Sequence, residues 1–210
     1  MKDRVRSDDK TWTEFVELIA PTPEQLDQFK RYAAYLLERN ESFNLTALKD
    51  ISSVVRYHFM DSLALGKSCD MSTIKSIADI GSGAGFPGIP LKIMYPHLDV
   101  VLIEVTHKKQ EFLAEVVRIL GLTNIEISGL DWRTFLRNTS YTIDMFVTRA
   151  ALDDVELMRM YRSTCLYNKA QLVYWASKEW AAHPKSAPHV KNITSYTVGN
   201  KDRRLVFMSA

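Results

Sequence analysis

The stretch Ser76-Ile77-Ala78-Asp79-Ile80-Gly81-Ser82-Gly83-Ala84-Gly85-Phe86-Pro87-Gly88 decides the fold. A short apolar run, 76–80, breaks into a glycine-rich turn and is followed by the apolar segment Ile89 to Tyr95. Strand, glycine turn, helix is the ligand-binding corner of an open α/β sheet. Glycine lets the chain turn sharply there and leaves the backbone open to a ligand, with no Cβ in the way. Working outward, four more runs have strand length and composition: Asp99 to Val105, Asn124 to Ser128, Ile143 to Thr148 and Ala170 to Ala176. Helical segments separate them, roughly Lys108 to Leu120 and Asp153 to Cys165. In the first, Phe112, Leu113, Val116, Val117 and Leu120 keep helical spacing and Gly121 is placed to stop it. Alternating strands and helices predict βαβ units and a mostly parallel sheet. Thr194 to Val198 and Leu205 to Met208, around Gly199-Asn200-Lys201-Asp202, predict an antiparallel hairpin at one edge.

The first 67 residues read as helical. Thr22-Pro23-Glu24 is a helix start: a capping hydroxyl, proline at the first position, then an acid. Leu26, Phe29, Tyr32, Ala33, Leu36 and Leu37 form one apolar stripe, and a second helix is expected from Ser52 to Gly66. The expected organisation is a helical extension over 1–70 followed by an α/β domain over 71–210. Links are expected near Gly66 to Ser76 and Pro184 to Pro188.

Composition bounds the function. With 210 residues, 46% hydrophobic and 25% charged, the chain is an ordinary globular protein, neither disordered nor fibrous. A chain of this size buries about 70% of its unfolded surface without disulfide staples. Two cysteines, Cys69 and Cys165, fit a reducing cytosol. The start MKDRVRSDDK has no apolar run behind it, and no stretch is long enough to span a bilayer. A cytoplasmic protein with no membrane partner is expected. The net charge of +2 does not announce a nucleic-acid partner, although Ser177 to Ala210 carries six Lys/Arg against two acids. His183 and His189 lack ligand partners at metal-site spacing, so no metal is expected.

Three ligands compete for the glycine turn. A phosphate P-loop needs Gly-Lys-Ser/Thr, which is absent. Gly83, Gly85 and Gly88 formally meet the dinucleotide fingerprint. Asp79-x-Gly81-x-Gly83-x-Gly85 is the pattern of S-adenosylmethionine sites in Rossmann-like methyltransferases. Glu104, 23 residues after Gly81, sits where a carboxylate accepts the hydroxyls of an adenosine ribose, which suits either cofactor. A dehydrogenase also needs a second substrate lobe, for which the chain has little room.

Several motifs then resemble one family. They are Asn44-Leu45-Thr46-Ala47, His58-Phe59-Met60-Asp61-Ser62-Leu63, the turn 79–88 with its continuation Ile89-Pro90-Leu91, Lys108-Lys109 with Phe112-Leu113, Leu120-Gly121-Leu122 with Asn124, and Thr148-Arg149-Ala150. Over about residues 25 to 178 the chain resembles the bacterial small-subunit rRNA guanine-N7 methyltransferases, also called glucose-inhibited division protein B. The resemblance implies a Rossmann-like class I methyltransferase sheet, mostly parallel with a C-terminal antiparallel edge hairpin. It implies methyl transfer from S-adenosylmethionine to guanine N7 in the 530 loop of 16S rRNA (position 527), with the small ribosomal subunit as partner and a monomeric enzyme.

It also implies roles. Cofactor-binding falls to Gly81, Gly83, Gly85, Phe86, Glu104, Leu130, Asp131 and Arg149. Catalysis falls to Arg149, Asn44 and His58, and RNA contact to Lys178, Asn44 and Arg56. Guanine N7 is an unprotonated lone pair, so positioning supplies the acceleration and no general base is required. The chain departs from the family's usual pattern at Tyr57, where the family usually has Arg, at Glu179 after Lys178, and at Leu130-Asp131. The alternatives are a diverged methyltransferase acting on another substrate class and a non-catalytic S-adenosylmethionine-binding RNA protein.

Overall fold

The structure is a computed structural model that describes residues 2–149 and 151–210, with backbone only for 2–7. Ala150, the end of the Thr148-Arg149-Ala150 motif, lies outside the described residues. Helices α1 (Lys2–Ile19) and α2 (Pro23–Phe43) come first. Thr22 caps α2 in a reciprocal box with Gln25, which contributes about 1 kcal/mol. Next, α3 (Ile51–Val54) runs through a π-helical stretch, Val55–Met60, into α4 (Asp61–Leu63) and a 3₁₀ turn, Ala64–Lys67. The helix expected over Ser52 to Gly66 is therefore continuous but wound three ways.

The sheet follows: β1 (Ser76–Ile80), α5 (Gly88–Met94), β2 (Asp99–Ile103), α6 (His107–Leu120), β3 (Ile125–Ser128), α7 (Trp132–Asn138), β4 (Met145–Arg149), α8 (Asp154–Met160), β5 (Gln171–Ser177), β6 (Val190–Val198) and β7 (Lys201–Met208). The strand order is β3-β2-β1-β4-β5-β7-β6. The first five strands are parallel, and β7 runs antiparallel between β5 and β6. This is the mostly parallel sheet with an antiparallel edge hairpin expected from the sequence.

Several boundaries differ from expectation; β2, for one, ends at Ile103 rather than Val105. β4 begins at Met145 because Asp144 is spent on a junction: its carboxylate accepts the N–H groups of Lys75 and Ser76. α8 stops at Met160 rather than Cys165, because buried Tyr161 donates its hydroxyl to the Ala170 carbonyl and the chain turns towards β5. The hairpin strands are longer than expected, and the turn shrinks to Gly199-Asn200.

The pleat divides the core. On one face Ile77, Val100, Leu102, Met145, Val147 and Val173 pack with Phe15, Phe29, Tyr32, Leu36 and Phe59 from the N-terminal helices, and with Ile89 and Phe112. On the other, Ala78, Ile80, Val101, Ile103 and Phe146 pack with Trp132, Phe135, Leu157 and Tyr161. The helical first third thus shares one core with the sheet. No helix of the described residues is long and apolar enough to cross a membrane.

Candidate active site

At the head of β1 the chain turns through Gly81, Gly83 and Gly85, all with positive φ. Ser82 donates its N–H to the Ile103 carbonyl, which ties the turn to the end of β2. Glu104, the next residue, is buried, and one carboxylate oxygen accepts the Gly83 N–H at 2.9 Å while the other accepts that of Thr106 at 2.8 Å. A Cβ on Gly83 would meet nothing nearer than 3.8 Å, so this part of the turn is open. Gly85 is different: a Cβ there would lie 2.6 Å from the Tyr32 hydroxyl oxygen and 2.6 Å from Ile89. Tyr32, on α2, donates to the Ala84 carbonyl and so anchors the turn from behind. Gly85, expected to serve a ligand, makes room for this packing.

Asp79 is fully buried. One oxygen accepts the Gly88 N–H at 2.8 Å, while Oδ1 has no partner. Burial pushes its carboxyl up to about 7, against the opposing pull of the Gly88 bond.

Beside the turn stands a second cluster. His58 stacks on Phe86 with ring centroids 4.2 Å apart, and the Arg149 guanidinium lies 5.1 Å from the same ring. Arg149 donates to His58 Nδ1 (2.7 Å), to the Tyr57 carbonyl (2.9 Å) and to Asp61 (3.0 Å). A guanidinium only donates, so Nδ1 is the acceptor and Nε2 carries the proton, which it gives to Thr46 Oγ1 at 2.7 Å. Burial, reinforced by the Arg149 charge, holds His58 down at about 3, so its ring is neutral.

Asp61 is the hub. Its carboxylate accepts Arg149, the Tyr196 hydroxyl (2.7 Å) and Arg203 (3.3 Å), and its backbone carbonyl accepts the Trp175 indole N–H (2.8 Å). One buried residue therefore ties α4 to β4, β6 and β7 through its carboxylate and to β5 through its carbonyl. A cavity of about 360 Å³ opens here, lined by Thr46, Tyr57, His58, Asp61, Arg149 and Lys201 among others. That is within the range of about 300–1,000 Å³ usual for ligand clefts.

Of the residues expected at the site, the structure joins Gly83 with Glu104, and Phe86 with His58 and Arg149. Gly81 lies under Ala151, whose Cβ a Gly81 Cβ would meet at 2.3 Å. Leu130 packs beside the second core face, and Asp131 caps α7 through the N–H groups of Arg133 and Thr134. Two of the cations are engaged elsewhere: Arg56 pairs with Glu14 at 2.7 Å, and Lys178 with Asp202 at 2.8 Å. Asn44 ends α2 with its backbone in the left-handed region. Trp175, only 2% exposed, is committed to the core. Sequence reasoning missed Tyr32, Asp61, Thr46, Tyr196 and Arg203 as parts of the site. The one available signal was Asp61, an acid within an otherwise apolar helical segment.

Could the turn hold the cofactor that its glycines suggest? The open face over Gly83, the buried Glu104 carboxylate beside it and the unpartnered Asp79 oxygen fit a polar ligand carrying hydroxyls and a cation. Among the described residues, no group of three or more His, Cys, Asp or Glu could hold a metal ion.

Comparison with known proteins agrees with the fold. The chain is similar to the mitomycin 7-O-methyltransferase MmcR (TM-score 0.55, 18% identity, 87% of this chain and 60% of that one). It is also similar to the putative methyltransferase yhhF from Escherichia coli (TM-score 0.52, 13% identity, 72% and 87%). Among sequences, a ribosomal RNA small subunit methyltransferase G from an Exiguobacterium strain is 46% identical over 101 residues, 48% of this chain and 42% of that protein. The one from a Geobacillus strain is 38% identical over 150 residues, 70% and 61%. The chain spans about half the length of the curated relatives it matches. Residues 25–206 match the family model GidB, described as rRNA small subunit methyltransferase G, and the chain belongs to that family.

Proposed function

We propose that this chain is an S-adenosylmethionine-dependent methyltransferase acting on N7 of a guanine in 16S rRNA, at the 530 loop. One observation carries the reading: Phe86 belongs to the glycine turn and also carries the stacked His58 and Arg149, so the cofactor corner and the cationic cavity share a wall. Glu104 would take the ribose hydroxyls, the backbone at Gly81 and Gly83 would accommodate the cofactor, and Leu130 and Asp131 would border it. The cofactor supplies a sulfonium that carries its own driving force. The protein has to bring the N7 lone pair in line with the methyl group, which is an entropic task.

Arg149 performs the positioning. Three of its five N–H groups are spent on Tyr57, Asp61 and His58. Its Nε–H and one Nη2–H, which have no partner among the described residues, would serve the cofactor carboxylate or guanine O6, either of which suits a planar fork. His58 is neutral and orients the arginine rather than moving protons. Residues 1–70 form a substrate-side extension of the methyltransferase domain at 71–210, because Thr46, Tyr57 and His58 line the cavity. The RNA substrate puts the protein with small ribosomal subunits in the cytoplasm.

The test uses labelled cofactor. Glu104→Ala is expected to weaken cofactor binding about 10–100-fold, the effect of losing charge-assisted hydrogen bonds worth about 1.5–3 kcal/mol. Arg149→Ala is expected to lose most transfer to 16S rRNA; a parallel loss of cofactor affinity would place its fork on the cofactor carboxylate, and retained affinity would place it on guanine O6. Unchanged turnover in Arg149→Ala would remove that residue from the site. Tight cofactor binding with no label in RNA would favour another substrate.

A further inference from the structure

We propose that Lys201, at the start of β7, is a substrate-contact residue that binds an RNA phosphate at the mouth of the cavity, and that Tyr57 holds it there. The inference rests on the RNA reading above and extends it to residues for which the motifs gave no role.

Charge bookkeeping around the cavity leads to Lys201. The charged groups lining it are Asp61, Arg149, Lys201 and Arg203. His58 contributes no charge, because its ring is neutral. Asp61 is already saturated: Arg149 and Arg203 share one oxygen and Tyr196 occupies the other. Three cations against one carboxylate leave the wall with a net charge of +2. Among the described residues, Lys201 pairs with no carboxylate, whereas two nearby cations do: Lys178 pairs with Asp202, and Arg203 with Asp61. Lys201 is exposed, so its charge faces solvent at the cavity rim.

Its position is nonetheless fixed. The Lys201 ammonium sits 4.6 Å from the centre of the Tyr57 ring, a cation–π seat. Tyr57 is itself pinned to the hairpin turn: its hydroxyl donates to the Asn200 side chain at 2.7 Å. The turn presses closely on the ring, since a Cβ on Gly199 would lie 2.9 Å from the Tyr57 oxygen and 3.0 Å from a ring carbon. A lysine otherwise loses rotamer entropy when it grips a ligand. Resting on an aromatic face already fixed by Asn200 and Gly199 lowers that cost. A pre-seated, uncompensated ammonium beside the residues that orient a base is suited to a phosphodiester flanking that base, since phosphate contacts set register on a nucleic acid.

The experiment compares Lys201→Ala, Lys201→Arg, Tyr57→Phe and Tyr57→Leu in methyl transfer to 16S rRNA across a salt series, with cofactor binding and thermal melting measured alongside. Lys201→Ala is expected to raise the KM for RNA several-fold with kcat and cofactor binding near wild type. It should also flatten the log–log salt dependence by about one, because each neutralised phosphate contributes about 0.9. Lys201→Arg should restore the slope. Tyr57→Leu should raise KM as Lys201→Ala does, while Tyr57→Phe, which keeps the ring but loses the Asn200 bond, should raise it less. Wild-type transfer together with an unchanged KM and slope in Lys201→Ala would overturn the Lys201 assignment alone. A wild-type enzyme that binds cofactor but transfers to no RNA would overturn the functional reading and, with it, this assignment.

Discussion

Asp79 and His58 are buried titratable groups with opposite effects on stability. Asp79 holds its proton up to about 7, so between about 4 and 7 the native chain binds more protons than the unfolded one and stability falls as pH rises. His58 refuses its proton down to about 3, so between about 3 and 6.5 the unfolded chain binds more and stability rises with pH. In the shared window the two slopes oppose each other. Urea midpoints taken from pH 4.5 to 7 should separate them. Relative to wild type, Asp79→Asn is expected to gain stability as pH rises, and His58→Gln to lose it. Parallel curves for all three proteins would contradict both assignments. Sequence showed Glu104 and the glycines because their spacing is local to one βαβ unit. It did not show the Asp61 hub, because the side chains on Asp61 come from positions 149, 175, 196 and 203, and only the closed sheet brings them together.

At the scale of elements, the glycine turn is held from both sides, by Glu104 from β2 and by Tyr32 from α2. Gly85→Ala tests the second grip. The added methyl would enter space held by Tyr32 and Ile89 at a φ of +95°, which strains any residue with a Cβ. A loss of about 2–4 kcal/mol is expected, read as a lower melting temperature, with Gly83→Ala costing about 1–2 kcal/mol, because its φ of +59° still strains an alanine although the space there is open. Equal effects at the two positions would show that the turn is not packed as described. The strands themselves were legible as apolar runs between turn residues. The ends of elements were not: β4 starts after Asp144, which is spent on Lys75, 69 residues earlier, and α8 stops at Tyr161, which bonds Ala170, nine residues on. The π-helical winding of Val55–Met60 likewise leaves no mark in a period of three to four.

At the scale of the whole molecule, a net charge of +2 spread over 210 residues says little about an RNA partner, and the local excess on the C-terminal hairpin says less than it promises. Lys178 and Arg203 are bound to carboxylates, and Arg204 donates to the Trp180 carbonyl. Lys185, Lys191 and Lys201 remain exposed with no ion pair among the described residues, and Lys201 stands at a small cationic cavity beside the glycine turn. The first third of the chain matters here: it shares the core of one sheet face and supplies Thr46, Tyr57, His58 and Asp61 to that cavity. The central claim is that the cavity presents guanine N7 to the methyl group. It is tested most directly by incubating the protein with S-adenosylmethionine and unmodified small subunits or 16S rRNA, then digesting the RNA and identifying methylated nucleosides by mass spectrometry. The expected result is 7-methylguanosine, absent without cofactor and strongly reduced with Arg149→Ala. Guanosine methylated at another atom, or no methylated nucleoside while the cofactor still binds, would contradict it.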